Sequence, residues 1–308
     1  MLNISQAGLF GEPLNRITIA LKVALLLILS ATQGYALSAQ AGSQSAFESL
    51  KTFVPPAAFD SIAALPDAAA ARAPMLSGER LFQELHRTVM PAKAAVAGYK
   101  QAKAYMYSKA DNIGCNGAPG ILTFYSQICV NGSSDNGNDY PERGDQNGDG
   151  VVDKFVNAEH IWPQGYFNSA LPMVSDLHQL ASTLYTPNSR RGNMRFAKVS
   201  NATYSTSCGS KLGSEGFEPC DPDKGNVARA MLYFVTRYYD QNIREGMNYE
   251  DFWTSRVPML LEWNRQDPPD ANERRRNDMV EAFQGNRNPY IDNPELADQI
   301  SAAVFAAH

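Results

Sequence analysis

The sequence is poor in histidine and has no excess of positive charge. Only four histidines occur among 308 residues, so few side chains are available for acid–base chemistry near neutral pH. The formal net charge of −5 has the wrong sign for a protein that attracts polyphosphate through its overall field. A nucleic-acid ligand would therefore require basic side chains to be segregated on one face.

The apolar run at residues 17–31 is shorter than the about 20 residues of a transmembrane helix. It is interrupted only by Lys22 and is followed by small residues at 34–41. This pattern indicates a secretory signal with cleavage after Ala36 or Ala41. We expect a secreted protein with no membrane association after cleavage; the alternative is an uncleaved membrane anchor.

The composition divides the chain into three parts. Residues 1–41 contain the signal peptide and its cleavage region, and residues 42–76 form a leader rich in Ala, Pro and Ser. Residues 77–308 are long enough for one folded domain.

The four cysteines include no Cys-x-x-Cys spacing, which argues against a thiolate metal site. Their even number in an exported chain favours disulfides. Three pairings are possible on paper. Nearest-neighbour pairing, Cys115 with Cys129 and Cys208 with Cys220, is favoured because each pair brackets a turn-rich stretch.

Residue patterns predict an α+β fold. Segments 121–130 and 155–161 have the β-branched and aromatic content of strands. Apolar residues at helical spacing predict helices at 81–89, 96–108, 227–242, 249–263 and 271–283. Gly285 is a natural stop for the last of these helices.

The segment 157–167 carries the strongest chemical signal, because Glu159 and His160 are adjacent and Trp162-Pro163 follows them. Successive strand residues point to opposite faces, so both side chains reach one site only where the strand distorts or ends, which Pro163 favours. His160 is the candidate general base. The other interpretation is a core histidine satisfied by hydrogen bonds.

A second segment supplies polar and basic side chains. Pro187 is expected in a first helical turn with Thr186 as its cap. Asn188 and Arg191 are then at i and i+3 and are expected to address the same phosphate. Flanking phosphates are assigned to Arg190 and Arg195, which with Lys198 form a basic cluster. A surface-only role for Arg191 remains the alternative. The arginine run at 274–276 is a second cationic segment, for which a solvated helix face is the favoured interpretation.

The ordered blocks resemble the bacterial endonuclease I family, secreted nucleases of the ββα-metal (His-Me finger) class. These blocks are Glu-His-Ile-Trp-Pro at 159–163, Asp-Leu-His-Gln-Leu at 176–180, Asn-Ser-Arg-Arg-Gly-Asn at 188–193, and C-terminal segments at 263–269 and 284–292. The similarity covers residues 77–295. It departs from the family pattern at Gly165, Gln179 and Asn293, and none of these is a proposed base or metal ligand. His178, in the second block, is assigned a structural role.

The resemblance implies a largely sequence-nonspecific endonuclease with a ββα-metal core. It implies that Glu159 and Asn188 hold a catalytic Mg²⁺, that His160 is the base and Arg191 stabilises the transition state, and that cleavage of DNA, and of RNA, leaves 5′-phosphate ends. Another class remains open: a catalytically silent, calcium-dependent binding module on the same scaffold. A third possibility is a small-molecule phosphoesterase. No protein partner is inferred.

An acidic loop at 145–153 has the spacing of a calcium site. Side-chain oxygens from Asp145, Asn147 and Asp149 occupy the first, third and fifth positions. The carbonyl of Val151 and the carboxylate of Asp153 follow, but the twelfth position is not the bidentate Glu of an EF-hand. We expect a Ca²⁺ of modest affinity that orders the path into the Glu159–His160 strand.

Overall fold

Helices and small antiparallel sheets alternate along the part of the chain that the computed structural model describes, residues 76–90, 97–132 and 156–308. This mixture confirms the α+β class. The helices are α1 Gly78–Val89, α2 Tyr99–Tyr105, α3 Tyr185–Arg191, α4 Asp221–Tyr238, α5 Tyr249–Phe252, α6 Val257–Gln266, α7 Ala271–Gln284, α8 Pro289–Asp292, α9 Leu296–Ile300 and α10 Ala302–Ala307. The strands are β1 Gly120–Leu122, β2 Cys129–Asn131, β3 Val156–His160, β4 Leu180–Leu184, β5 Tyr204–Ser205, β6 Lys211–Gly213 and β7 Gly216–Glu218. The signal peptide, nearly all of the leader and the calcium-type loop lie outside the described residues.

The candidate site lies on an antiparallel pair, β3 with β4, whose register runs from Val156 opposite Leu184 to His160 opposite Leu180. Helix α3 follows β4 directly. The prediction of a strand at 155–161 is therefore confirmed. The block at 176–180 is not a strand until Leu180, because Asp176 accepts a hydrogen bond from the backbone N of His178 (3.0 Å) and forms a turn there.

The segment predicted as a single strand at 121–130 is a hairpin, so that prediction was wrong. β1 pairs with β2, and the chain reverses between them with positive φ at Tyr125 and Gln127. The disulfide Cys115–Cys129 lies at this hairpin. Left-handed residues other than Gly and Asn give no turn signal in a sequence.

Two predicted helices differ in extent from the observed ones. The helix expected at 96–108 is regular only to Tyr105 and continues as one wider turn, Met106–Ala110. The helix expected at 249–263 is interrupted at Trp253, after which Pro258 occupies the first turn of α6. Gly285 ends α7 with φ 81°, as expected.

Trp162 anchors the end of β3 in the hydrophobic core. Its indole stacks on Phe234 of α4 with ring centroids 5.1 Å apart and also contacts Phe252 and Trp253. The indole N–H donates to the carbonyl of Ile243 (3.0 Å). The Trp-Pro pair after His160 therefore fixes where the chain leaves the strand.

A buried carboxylate, Asp176, joins the turn before β4 to the helices. It accepts hydrogen bonds from Arg237 (2.6 Å), Tyr238 (2.8 Å) and Tyr233 (3.0 Å) of α4, and from Gln284 of α7 (2.8 Å). Burial raises the pKa of Asp176, but Arg237 and the other donors outweigh it, so the pKa is lower than usual. The carboxylate is therefore charged.

The arginine run at 274–276 is not simply a solvated face. Arg276 donates to Asp111 (2.6 Å) and to the carbonyls of Leu177 and Leu180 (2.7 Å each), and thereby joins α7 to the start of β4. Spacing within α7 alone does not reveal these partners.

Both predicted disulfides, Cys115–Cys129 and Cys208–Cys220, are present with Cα atoms 5.8 and 5.7 Å apart. In the described ranges, every helix is too short or too polar to cross a membrane.

We expect Asp176→Asn to lower the free energy of unfolding by about 3–5 kcal/mol, because Arg237 would lose its buried counter-ion. Urea unfolding measures this. The control is Asp298→Asn, at the solvent-exposed pair with Arg265, which should cost less than about 1 kcal/mol. Equal losses in the two variants would contradict a structural role for the buried charge.

Candidate active site

A cleft of about 330 Å³ brings together three residues that the sequence singled out, Glu159, His160 and Asn188. β3 ends at His160, as expected from Pro163, so both neighbours in the strand line the cleft. The full set of lining residues is Asn157, Ala158, Glu159, His160, Pro163, Gln164, Tyr185, Asn188, Ser189, Gly192 and Asn193.

The imidazole of His160 is held in one orientation. Its Nε2 donates to the carbonyl of Val174 (3.0 Å), which fixes the proton on that nitrogen and leaves Nδ1 as the acceptor. Burial lowers the pKa of His160 to about 4, with further lowering by the charges of Lys103 and Arg191 and opposition from the Val174 bond. The ring is therefore neutral at pH 7, which is the state a general base requires.

The carboxylate of Glu159 is buried and supported at one oxygen. Oε1 accepts hydrogen bonds from the Tyr125 hydroxyl (2.7 Å) and from Nη1 of Arg191 (3.0 Å). Both of these donors bond to Oε1, and neither bonds to Oε2. Burial raises the pKa of Glu159, and Arg191 and Tyr125 oppose that effect.

Arg191 lies behind the carboxylate and not in the cleft. Its side chain is 0 % exposed, and it also donates to the carbonyls of His160 (3.0 Å) and Ile161 (2.8 Å). The guanidinium lies 4.5 Å above the ring of Phe196. The expectation that Arg191 shares one phosphate with Asn188 therefore needs correction, as does the alternative of a surface role.

The faces of α3 give the reason. Residues at 185, 188, 189 and 192, spaced i, i+3, i+4 and i+7, line the cleft, whereas Pro187 and Arg191 at i and i+4 are buried. Asn188 is at the border of the two faces. The helix also begins two residues earlier than predicted, at Tyr185, and its N-cap position is Leu184, without a side-chain cap, in place of Thr186.

Asn188 is oriented by its amide nitrogen, which donates to the side-chain oxygen of Asn157 and to the carbonyl of Ala158 (3.3 Å). Its carbonyl oxygen is the atom that a cation would take. Asn157 was not singled out from the sequence. The two-residue period of a strand, which places Asn157 on the same face as Glu159, is a signal that would have found it.

The other predicted phosphate contacts do not line the cleft in the part of the chain that is described. Arg190 is exposed and lies 5.7 Å from the ring of Tyr204. Arg195 forms an ion pair with Asp251 (3.0 Å), and Lys198 forms one with Glu262 (2.8 Å). Their predicted contacts with flanking phosphates stay predictions.

Residues 77–295 match the model of the endonuclease I family. The chain belongs to this family. It is 37% identical over 166 residues to an extracellular ribonuclease of Bacillus amyloliquefaciens, covering 50% of this chain and 56% of that protein. It is also 37% identical over 154 residues to an extracellular ribonuclease of Bacillus subtilis (strain 168), covering 47% and 53% respectively. The matches thus span about half the length of these curated relatives.

In this member of the endonuclease I family, the Tyr125 hydroxyl supports the Glu159 carboxylate through a hydrogen bond. The sequence did not single out Tyr125. Its backbone N donates to the buried carboxylate of Asp223 (2.8 Å), and Thr206 donates to its carbonyl (2.8 Å). Sγ of Cys208, in the Cys208–Cys220 disulfide, lies 3.1 Å from the same carbonyl. No local pattern marks a tyrosine in a hairpin as the partner of a carboxylate in another sheet.

His178 lies away from this cleft, in the buried hydrogen-bond network of Asp176. Its Nε2 donates to the carbonyl of Asn286 (3.0 Å), and burial lowers its pKa to about 4. The protein therefore has two buried neutral histidines. His160 lines the cleft with Glu159 and Asn188, and His178 does not.

The support behind Glu159 should make stability depend on pH. Burial, and to a smaller extent the charge of Asp267, raise the pKa of Asp223 to about 7, while bonds from Tyr125 and Gln127 oppose the rise. The folded state therefore holds this proton more tightly than the unfolded chain, so stability is lost as pH rises from about 4 to about 7.

We expect the free energy of unfolding of wild type to contain a component that falls by up to about 4 kcal/mol between pH 4 and pH 7. Asp223→Asn should lack this component, whatever its stability at pH 4. Denaturant unfolding at a series of pH values measures both slopes. Parallel profiles for the two proteins would show that Asp223 is not the titrating group.

Proposed function

We propose that the protein is a secreted metal-dependent endonuclease that hydrolyses phosphodiester bonds of DNA and RNA with little base specificity. The observation that carries the proposal is the common cleft of Glu159, His160 and Asn188, with the imidazole neutral and its tautomer fixed. Family membership supports a nuclease. The names of the Bacillus relatives support export and RNA among the substrates.

The residues present fit a magnesium ion. Glu159 and Asn188 offer hard oxygen donors to one cleft, and the supported carboxylate keeps Oε2 for a cation. A buried carboxylate whose pKa is raised by burial gains from a cation nearby. When bound, Mg²⁺ would neutralise charge on the phosphate and the departing O3′. Ca²⁺ in the 145–153 loop stays a prediction.

The protein's own groups then have distinct tasks. His160 Nδ1 takes a proton from water as the water oxygen attacks phosphorus and the bond from phosphorus to O3′ breaks. The products are a 5′-phosphate and a 3′-hydroxyl, whose oxygen leaves with the electron pair and takes a proton from solvent. The Val174 carbonyl keeps the imidazole in the required tautomer. Arg191 acts through Glu159 and through the backbone of the strand end, and so positions the site without touching phosphate.

We expect wild type to degrade plasmid DNA and RNA with Mg²⁺ and to lose activity with EDTA. His160→Ala should reduce the rate by about 100-fold or more, because the general base is removed. Gel analysis of products measures both. The matched control is His178→Ala, assayed at a temperature at which it is folded, which should keep most of the activity. Activity of His160→Ala near that of wild type would refute the assigned base.

Tyr125→Phe should raise the Mg²⁺ concentration that gives half-maximal rate by about 10- to 100-fold, because Glu159 would lose a donor that orients it. The control is Tyr290→Phe, which removes a buried hydroxyl bonded to Thr236 and remote from the cleft. Kinetics over a magnesium series measure the shift. An unchanged Mg²⁺ dependence in Tyr125→Phe would contradict this support.

A further inference from the structure

The cleft contains an aromatic side chain that the proposed chemistry does not use. Tyr185 lies at the start of α3, three residues before Asn188, and belongs to the same cleft-lining face of the helix. It is 37% exposed, whereas Tyr125, Tyr233, Tyr238 and Tyr290 are fully buried. Among the residues that the structure describes, no other aromatic ring stacks on Tyr185.

Tyr185 lies close enough to Asn188, a proposed metal ligand, to contact a nucleotide whose phosphate is bound there. Residues three apart on a helix have Cβ atoms about 5–6 Å apart. A phosphate near Glu159 and Asn188 would thus place the sugar and base of the same nucleotide beside the Tyr185 ring. The other cleft-lining positions here, Ser189 in the helix and Gly192 at its C-cap, are too small to block that approach.

A base can use this ring only if its own face is free. In a duplex both faces of each base are covered by its neighbours, and exposing one requires unpairing and unstacking. In a single strand the face is available, and stacking on an aromatic side chain tolerates every base.

We propose that Tyr185 is a stacking platform for the nucleobase next to the scissile phosphate, and that it makes the cleft prefer single-stranded nucleic acid. This inference rests on the proposed nuclease function. Stacking also suits a chain of net charge −5 whose cleft is not lined by arginine in the described ranges, because it does not depend on a basic surface.

The test compares cleavage of one labelled oligonucleotide as a single strand and as a duplex by wild type, Tyr185→Ala and Tyr185→Phe. Loss of one base–aromatic stack should lower kcat/KM of Tyr185→Ala on the single strand by about 5- to 150-fold, mainly through KM. Its activity on the duplex should change less than about 2-fold. Tyr185→Phe keeps the ring and should resemble wild type.

Ser189→Ala is the control, because it alters a small side chain on the same face one turn further along. It should leave the ratio of single-strand to duplex activity unchanged. Equal losses on both substrates in Tyr185→Ala, or no loss on either, would overturn the proposal. So would a loss in Tyr185→Phe as large as that in Tyr185→Ala.

Binding separates this inference from the nuclease proposal. His160→Ala should bind the single strand without cutting it, and His160→Ala combined with Tyr185→Ala should bind it about 5- to 150-fold more weakly. If wild type cleaves nothing but this difference is found, the nuclease proposal fails, and Tyr185 is a base-stacking residue of a cleft that binds a single strand without cutting it. If wild type cleaves and the two affinities are equal, the platform fails alone.

Discussion

One buried guanidinium defines the end of the strand on which the cleft depends. Arg191 bonds the side chain of Glu159 and the carbonyls of the next two residues, so three consecutive positions are tied to α3 by one side chain. A buried charge is costly unless it is paired and hydrogen-bonded, and these contacts supply both the counter-ion and the acceptors. The same contacts satisfy carbonyls at the point where β3 stops pairing with β4. The placement of the Glu159 carboxylate and the His160 imidazole in one cleft thus depends on the end of β3 and on the Arg191 guanidinium that holds it.

The two buried histidines have similar electrostatics and different neighbours. Burial lowers the pKa of both to about 4, so both are neutral. His178 bonds to the carbonyl of Asn286 beside the cluster around Asp176 and lines a different cavity, whereas His160 lines the cleft that also contains Glu159 and Asn188. A lowered pKa therefore does not by itself distinguish the two histidines, and the side chains that share the cavity with each of them do.

Much of the site could be predicted from the sequence, because its signals are local. The pair Glu159–His160, the strand end before Pro163, the position of Asn188 and both disulfides all follow from neighbouring residues or short spacings. The residues that were misassigned or missed depend on distant partners. Arg191 is at i+3 from Asn188, yet the core decides which side of α3 is buried. Tyr125 lies between β1 and β2 but bonds to Glu159 in another sheet. The hairpin at 120–131 depends on residues in the left-handed region that have no sequence signature.

The support of Glu159 comes from residues 34 positions earlier and 32 positions later in the chain. β3 and its pairing with β4 cannot orient this carboxylate alone, because both donors are distant from Glu159 in sequence. Closing the chain segments between them costs conformational entropy, which only the completed tertiary packing offsets. In a partly folded chain the acidic group would be hydrated and free to rotate. Whatever reaction the cleft performs, its competence should therefore emerge late, together with the finished tertiary structure, and an excised peptide carrying the adjacent acid and histidine would not reproduce it.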